Sequence, residues 1–153
     1  MQEIERKFLV GNDSWRPGAS GTRFRQGYLS TDPERTVRVR LEGDRGVLTI
    51  KGPSRGISRA EFEYPIPAAE AATLLDTLCL QPLIEKTRYR VEHGGHLWEI
   101  DEFAGDNAGL VLAEVELSSE DEQVALPPWV GMEVSNDPRY FNANLARHPF
   151  SRW

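Results

Sequence analysis

The sequence predicts a mainly β (α+β) fold, in which an antiparallel sheet or barrel carries a few helices on its outside. Polar and apolar residues alternate with a period of two along most of the chain, and turns rich in Gly, Pro and Asp separate the alternating segments. Helical segments are few and follow the strands rather than alternating regularly with them. This pattern is typical of antiparallel sheets and barrels with helices packed outside.

Eight segments alternate clearly enough to be predicted as strands. The connections at 42–46 and 93–95 contain Gly-rich turn sequences, so we expect hairpins between the strands that flank them. The predicted strands cover residues 3–10, 23–29, 36–42, 47–51, 59–66, 85–92, 96–102 and 111–117.

Two helices are predicted with some detail. Residues 68–79 are rich in Ala and Leu, and Leu74, Leu75 and Leu78 recur at helical spacing. The second helix should begin at Asp137, an N-cap followed by proline at the first helical position, and run to about residue 147. The acidic segment 118–121 predicts a short third helix.

Length and composition indicate one globular domain over residues 1–153. Apolar residues make up 39% and charged residues 27% of the chain, which is ordinary for a folded protein. No apolar run approaches the roughly 20 residues of a membrane span, and the N-terminus is not a signal peptide. The lone Cys79 excludes an intrachain disulfide and fits a cytoplasmic location.

The net charge of −6 gives no indication of nucleic-acid binding. Neither a membrane nor a nucleic acid is expected as a partner. An anionic ligand would have to be held by a local cluster of cations or by metal ions.

The predicted strands carry an unusual polar face. Alternate side chains of a strand point to opposite sides of the sheet, and here one side is almost wholly ionisable. Strands one, five and eight carry mainly acids on that face, whereas strands three and six carry only bases. The ionisable face comprises Glu3, Glu5, Lys7, Arg38, Arg40, Lys51, Glu61, Glu63, Lys86, Arg88, Arg90, Glu99, Asp101, Glu114 and Glu116.

A solvent-exposed face is the usual explanation for polar residues on alternate strand positions. It does not explain the sorting by sign, because like charges two residues apart repel. A site for a polyanion and divalent cations does explain it. Carboxylates bind Mg²⁺ or Mn²⁺, and arginines and lysines bind phosphate oxygens. An eight-stranded barrel is about the size that holds one small ligand.

These charged blocks resemble the CYTH superfamily, also called triphosphate tunnel metalloenzymes. Residues 3–7 form an E-x-E-x-K signature, and the chain ends its strand region with E-x-E at 114–116. The blocks Arg38–Arg40, Lys51, Glu61–Glu63, 85–88 and Asp101 lie between them in family order. The likeness covers most of the chain and is nearest to the bacterial stand-alone group that is similar to inorganic triphosphatases.

The resemblance implies an eight-stranded antiparallel tunnel with a C-terminal helix that plugs one mouth. It also implies roles for the charged residues, with one or two Mg²⁺ or Mn²⁺ ions as cofactors. Phosphate oxygens would be bound by Lys7, Arg38, Arg40, Lys51, Lys86 and Arg88. Metal ions would be bound by Glu3, Glu5, Asp101, Glu114 and Glu116, with Glu61, Glu63 and Arg90 in support.

The expected reaction is metal-dependent hydrolysis of a small-molecule triphosphate, foremost inorganic tripolyphosphate to diphosphate and orthophosphate. Lys7 and Lys86 are expected to act on the reacting phosphates, and Tyr28 is the candidate proton acceptor. A class IV-type adenylate cyclase and a thiamine or nucleoside triphosphatase are the enzyme alternatives. A polyphosphate- or nucleotide-binding protein is the non-enzymatic one. The sequence leaves open whether the protein is a monomer or a homodimer.

Overall fold

The computed structural model describes residues 1–153 and contains one antiparallel sheet of nine strands. In spatial order the strands run β5-β4-β3-β2-β6-β7-β8-β1-β9, and β5 also pairs with β1, so that β1 to β8 close into a barrel. The strands are β1 Gln2–Val10, β2 Gly21–Ser30, β3 Thr36–Glu42, β4 Arg45–Lys51, β5 Ser58–Ile66, β6 Ile84–His93, β7 His96–Phe103, β8 Val111–Glu116 and β9 Val130–Glu133.

Strand β1 completes the barrel by sharing one of its edges between two partners. Its first residues pair with β5 through three residue pairs, from Gln2↔Ala60 to Ile4↔Ser58. Its last residues pair on the same edge with β9, while the opposite edge pairs with β8 from Glu5 to Leu9. The eight predicted strands and the antiparallel barrel are confirmed. The ninth strand was not predicted, because its four residues include a glycine and show no alternation.

Helices are few and lie outside the barrel wall or across its end. Helix α1 covers Ala68–Thr77 and packs on β3 and β4, two residues shorter than predicted. The predicted C-terminal helix is split: a 3₁₀ turn at Pro138–Tyr140 precedes α2 at Asn142–Arg147, and Phe141 between them is extended. Two further 3₁₀ turns lie at Gly105–Asn107 and Phe150–Arg152. No helix has the length and apolar character needed to span a membrane.

The predicted helix at 118–121 is wrong. These residues form bends and a turn instead. The Glu122 carboxylate accepts the backbone N–H of Ser118, and Asp121 accepts the hydroxyl of Ser119. The backbone bond from Glu122 N to Ser119 O closes one turn, and no helix follows it.

Apolar side chains form three clusters, two outside the barrel wall and one at an end of its interior. The largest packs the outward residues of β1, β7 and β8 against loop tryptophans. The second lies under α1 and includes Val39, Leu75 and Cys79. Close contact there requires Gly27, since a Cβ at that position would lie 2.8 Å from the Cys79 Cβ.

The third cluster closes one end of the barrel. Ile84, Phe103 and Leu112 share the strand face of Lys86, Asp101 and Glu114, so the barrel interior turns apolar at this end. Tyr140 and Leu145 of the C-terminal segment pack onto these three side chains. The C-terminal segment is thereby anchored across this end, where the predicted plug helix was expected.

Candidate active site

A cavity of about 580 Å³ runs through the barrel interior and receives side chains from all eight strands that close it. Only four of its 33 lining residues are hydrophobic. The structure brings together fourteen of the fifteen predicted site residues on its wall. They are Glu3, Glu5, Lys7, Tyr28, Arg38, Arg40, Lys51, Glu61, Glu63, Lys86, Arg88, Arg90, Glu114 and Glu116.

The exception is Asp101, which lies behind the cavity wall with 1% of its surface exposed. Strand register places it opposite Arg88, and its two oxygens accept from that guanidinium at 2.7 and 2.9 Å. Its Oδ2 also accepts from Lys86 Nζ at 2.7 Å. Burial alone would raise the pKa of Asp101, but Arg88 and Lys86 hold it well below the usual range of a carboxyl.

Lys86 is the most deeply buried cation of the site. Burial lowers the pKa of its ammonium group to about 8, although Asp101 favours the charged form. Its Nζ also donates to Asn142 Oδ1 of α2 at 3.3 Å. Lys86 therefore links the barrel wall to the C-terminal segment.

Lys7 makes a second link to that segment. Its Nζ donates to the backbone oxygen of Tyr140 at 3.1 Å and lies 3.6 Å from a carboxylate oxygen of Glu114. Burial would raise the pKa of Glu114, but Lys7 and Arg88 lower it to about 2. Glu114 is consequently ionised and paired throughout the neutral range.

The two β3 arginines are buried but incompletely bonded. Arg38 and Arg40 each expose less than a tenth of their surface, and the Nε–H of each has no hydrogen-bond partner. Arg40 pairs with Glu42 and stacks its guanidinium 5.0 Å from the Phe24 ring. Burial and the neighbouring arginines lower its pKa to about 10. Unpaired donors inside a protein are costly, and each one calls for an explanation.

Across the cavity, Lys51 is embedded among acids. Its Nζ lies 2.8 Å from Glu3 and 3.4 Å from Glu61. Burial and its hydrogen bond with Glu3 raise the pKa of Glu61 to about 7. Arg59, on the same strand as Glu61, lines the cavity and donates to Gly52 O and Thr36 Oγ1.

Glu5 and Glu116 form the acidic part of the wall. They are cross-strand neighbours in β1 and β8, and neither makes an ion pair or a side-chain hydrogen bond within the protein. Burial and the nearby Glu114 and Glu3 raise the pKa of Glu5 well above its usual value. Burial and the charge of Glu3 also raise the pKa of Glu116. No three acids of the chain converge closely enough to form a metal site by themselves.

Of the remaining predicted residues, Glu63 and Arg90 are partly exposed and Tyr28 is buried. Glu63 accepts from Thr49 at 3.2 Å and stands 3.8 Å from Arg40. Arg90 pairs with Glu99 at 3.4 Å. The Tyr28 side chain is buried against the cavity next to Arg38 in the register, and its hydroxyl makes no hydrogen bond within the protein.

Sequence reasoning missed the neutral polar residues of the site. Ser135, Asn142 and Asn144 line the cavity from the C-terminal segment, and the fully buried Gln26 donates to Asn142 at 3.0 Å. The sorting of charges could not reveal them, because they carry none. The signal that was present is the place of Gln26 two residues before Tyr28, on the same face of β2.

Comparison with known proteins agrees with this geometry. A family model described as the CYTH domain matches residues 1–150. This chain belongs to the CYTH domain family. The CYTH chain is 49% identical to an inorganic triphosphatase of Acetivibrio thermocellus over 99% of its own length and 97% of the relative. It is 40% identical to an inorganic triphosphatase of Nitrosomonas europaea, covering 95% of this chain and 97% of the relative.

A solved structure extends the likeness to the fold. The CYTH barrel matches the crystal structure of an inorganic triphosphatase with a TM-score of 0.68 and 38% sequence identity. The match covers 94% of this chain and 96% of the other. The family membership expected from the charged blocks is confirmed.

Proposed function

We propose that this CYTH protein is a hydrolase that cleaves inorganic tripolyphosphate to diphosphate and orthophosphate within its barrel. The observation that carries the proposal is the cavity of about 580 Å³, whose wall brings together three arginines and two lysines: Arg38, Arg40, Arg88, Lys7 and Lys86. Phosphate oxygens suit such a wall, because guanidinium groups bind them with high directionality and lysines bind them as point charges. The relatives at 49% and 40% identity, both named inorganic triphosphatase, support the same substrate.

The lining favours an inorganic substrate over a nucleotide. Ligand pockets for organic molecules are mostly apolar, whereas four of 33 lining residues are hydrophobic here. Of the two aromatic residues in the lining, Tyr28 is buried and Phe141 belongs to the C-terminal segment. An adenine or thiamine group would find little surface on which to stack. Adenylate cyclase and thiamine triphosphatase activity are therefore second to tripolyphosphate hydrolysis.

The acidic wall suits one or two Mg²⁺ or Mn²⁺ ions. Magnesium in proteins is commonly bound through one or two carboxylates together with substrate phosphates and water. Glu5 and Glu116 are two such carboxylates without protein partners, and Glu3 and Glu114 lie beside them. A bound divalent ion would neutralise charge on the polyphosphate and activate water for attack.

The side chains of the protein would bind the phosphates and stabilise the charge that develops during the reaction. Arg38, Arg40 and Arg88 would bind the phosphate chain and counter the charge that develops on the leaving diphosphate. Lys7 and Lys86 would hold the terminal phosphoryl group. Water oxygen then bonds to the terminal phosphorus as the bridging P–O bond breaks.

Two groups could receive the proton of the attacking water. Tyr28 remains the predicted acceptor, and Glu61, with a pKa of about 7, is the cavity's other candidate near neutral pH.

For Asp101 we propose a positioning role in place of the predicted metal binding. Both of its oxygens are engaged by Lys86 and Arg88, so it holds these cations toward the cavity. Action on a free small molecule in the cytoplasm, without nucleic acid or membrane, and assembly as a monomer or homodimer stay predictions of the sequence.

Product analysis tests the proposal. Purified protein would be incubated with Mg²⁺ or Mn²⁺ and, in parallel, with tripolyphosphate, ATP and thiamine triphosphate. We expect orthophosphate release to be fastest from tripolyphosphate and to stop in EDTA. Cyclic AMP formed from ATP would replace the proposal by a cyclase. Binding of tripolyphosphate without turnover would leave a polyphosphate-binding protein.

A further inference from the structure

We propose that Asn142, held in place by Gln26, is a positioning residue that aims the Lys86 ammonium group into the cavity. This inference rests on the proposed function, since it concerns how the same site holds its phosphate. Asn142 is the first residue of α2, whereas Gln26 and Lys86 lie on the neighbouring strands β2 and β6. The trio thus joins the C-terminal segment to the barrel wall.

The direction of the hydrogen bonds follows from chemistry. An ammonium group has no acceptor, so the atom of Asn142 that faces Lys86 must be its carbonyl oxygen. Asn142 Oδ1 accepts from Lys86 Nζ at 3.3 Å and from Gln26 Nε2 at 3.0 Å. Gln26 has to present its amide nitrogen because the oxygen of Asn142 is already directed to the lysine.

Lys86 Nζ has three positions for hydrogen bonds. Asp101 Oδ2 takes one at 2.7 Å and Asn142 Oδ1 takes another. Lys86 itself lines the cavity. With two positions taken by partners outside the substrate, the third is available to a phosphate oxygen, and the lysine cannot swing away from it. Asn142 therefore restricts the ammonium to one productive direction.

The arrangement is one that stability alone would not select. Gln26 is completely buried, and its Oε1 has no hydrogen-bond partner. A buried, unpaired carbonyl oxygen is unfavourable, and a leucine of similar size would avoid it. Retaining glutamine at this position fits a role in orienting Asn142 better than a role in packing.

A double-mutant cycle on tripolyphosphate binding tests the proposal. Dissociation constants would be measured by calorimetry in EDTA, which prevents metal-dependent turnover, for wild type, Asn142→Leu, Lys86→Met and the double variant. We expect Asn142→Leu to weaken binding about tenfold in the wild-type background, as coupled contacting residues do, and to have almost no effect beside Lys86→Met. Asn12→Leu is the control, because Asn12 is exposed, lies outside the cavity, and its side chain bonds Ser14 N and Pro128 O.

Gln26→Leu supplies a second readout that does not depend on the cycle. We expect its thermal midpoint to be unchanged or higher, because the unpaired oxygen is gone, while tripolyphosphate binding weakens several-fold. A purely structural glutamine would lose stability and binding together.

Three results would overturn the inference. They are equal weakening by Asn142→Leu with and without Lys86, a tenfold loss in Asn12→Leu, or a destabilised Gln26→Leu that binds normally. Wild-type protein that binds tripolyphosphate but does not hydrolyse it would refute only the proposed hydrolase, and the cycle would still decide the role of Asn142. Wild-type protein that neither binds tripolyphosphate in EDTA nor hydrolyses it with Mg²⁺ or Mn²⁺ would refute both.

Discussion

The β6–β7 wall and the β1–β8 wall both carry ionisable side chains, but they differ in how fully their acids are paired. On the β6–β7 wall, Lys86 and Arg88 are bonded to Asp101, so that cations and anion satisfy one another. On the β1–β8 wall, Glu5 and Glu116 face the cavity with no protein partner. Asp101 therefore serves the structure of the site, whereas Glu5 and Glu116 are free to bind a ligand. Exchanging charge for neutral groups on each wall should separate these two kinds of residue.

The largest effect is expected from breaking the paired wall. Asp101→Asn leaves Lys86 and Arg88 buried without their anion, and removing one partner of a buried ion pair costs about 3–5 kcal/mol. Urea denaturation should show a loss of that size in the free energy of unfolding. A loss below about 1 kcal/mol would mean that the network contributes little to the fold.

Arg38 tests the incompletely bonded cations, since its Nε–H lacks a partner while its Nη2 contacts Thr49 and Glu63. Arg38→Met should lower kcat/KM for tripolyphosphate about 100-fold, because a buried donor to the phosphate is lost, and it should change stability little. Arg35→Met is the matched control, since Arg35 is exposed at the β2–β3 turn and pairs with Asp32. If both variants lose activity alike, the arginine effect is one of overall charge.

Glu5 tests the unpaired acids. Glu5→Gln removes an anion that is repelled by Glu114 and Glu3, so its thermal midpoint should be equal to or above that of wild type. The Mg²⁺ concentration for half-maximal activity should rise about tenfold, because one of the carboxylates that suits the ion is lost. Glu70→Gln, on the exposed face of α1, should leave both quantities unchanged. An unaltered Mg²⁺ requirement in Glu5→Gln would exclude Glu5 as a metal ligand.

The smallest effect concerns pH and stability. Glu61, with a pKa of about 7, binds its proton more tightly in the folded state than in the unfolded chain, and Glu5 and Glu116 shift in the same direction. Stability should therefore rise as pH falls from about 7 to about 5. Asp101 and Glu114 shift oppositely, so their contribution is lost only in more acidic solution.

Thermal midpoints of unfolding, measured from pH 7 to pH 5, test this expected rise in stability. With Mg²⁺ present the rise should shrink, because a bound cation keeps the carboxylates ionised. A midpoint that falls steadily from pH 7 to pH 5 would show that the paired wall dominates even there.

Much of the barrel and its charged lining could be predicted because strand alternation is a local property. The period of two places Glu3, Glu5 and Lys7 on one face of β1, whichever strand pairs with it. The extended Phe141 that splits the C-terminal helix and the absence of a helix at 118–121 leave no mark in the composition.

The finer contacts of the site required the pairing of distant segments. Asp101 shares the charged face of Glu99, and only the strand register shows that it lies opposite Arg88 and forms an ion pair with it. Gln26 and Asn142 are separated by 116 residues and carry no charge, so no pattern joins them. Such neutral contacts become visible only when the C-terminal segment is placed against the barrel.

The charges inside the barrel and the apolar cluster outside β1, β7 and β8 also help to fix the alignment of the strands. A slip of one residue in β1 would turn Glu5 and Lys7 into the layer of Trp98 and Trp129 and expose Phe8 to the charged interior. A pairing misaligned by one residue would thus bury ions in an apolar layer, which costs more than the same slip in a sheet with one face in water. The charged interior that binds the ligand therefore also favours the correct strand alignment over a one-residue slip.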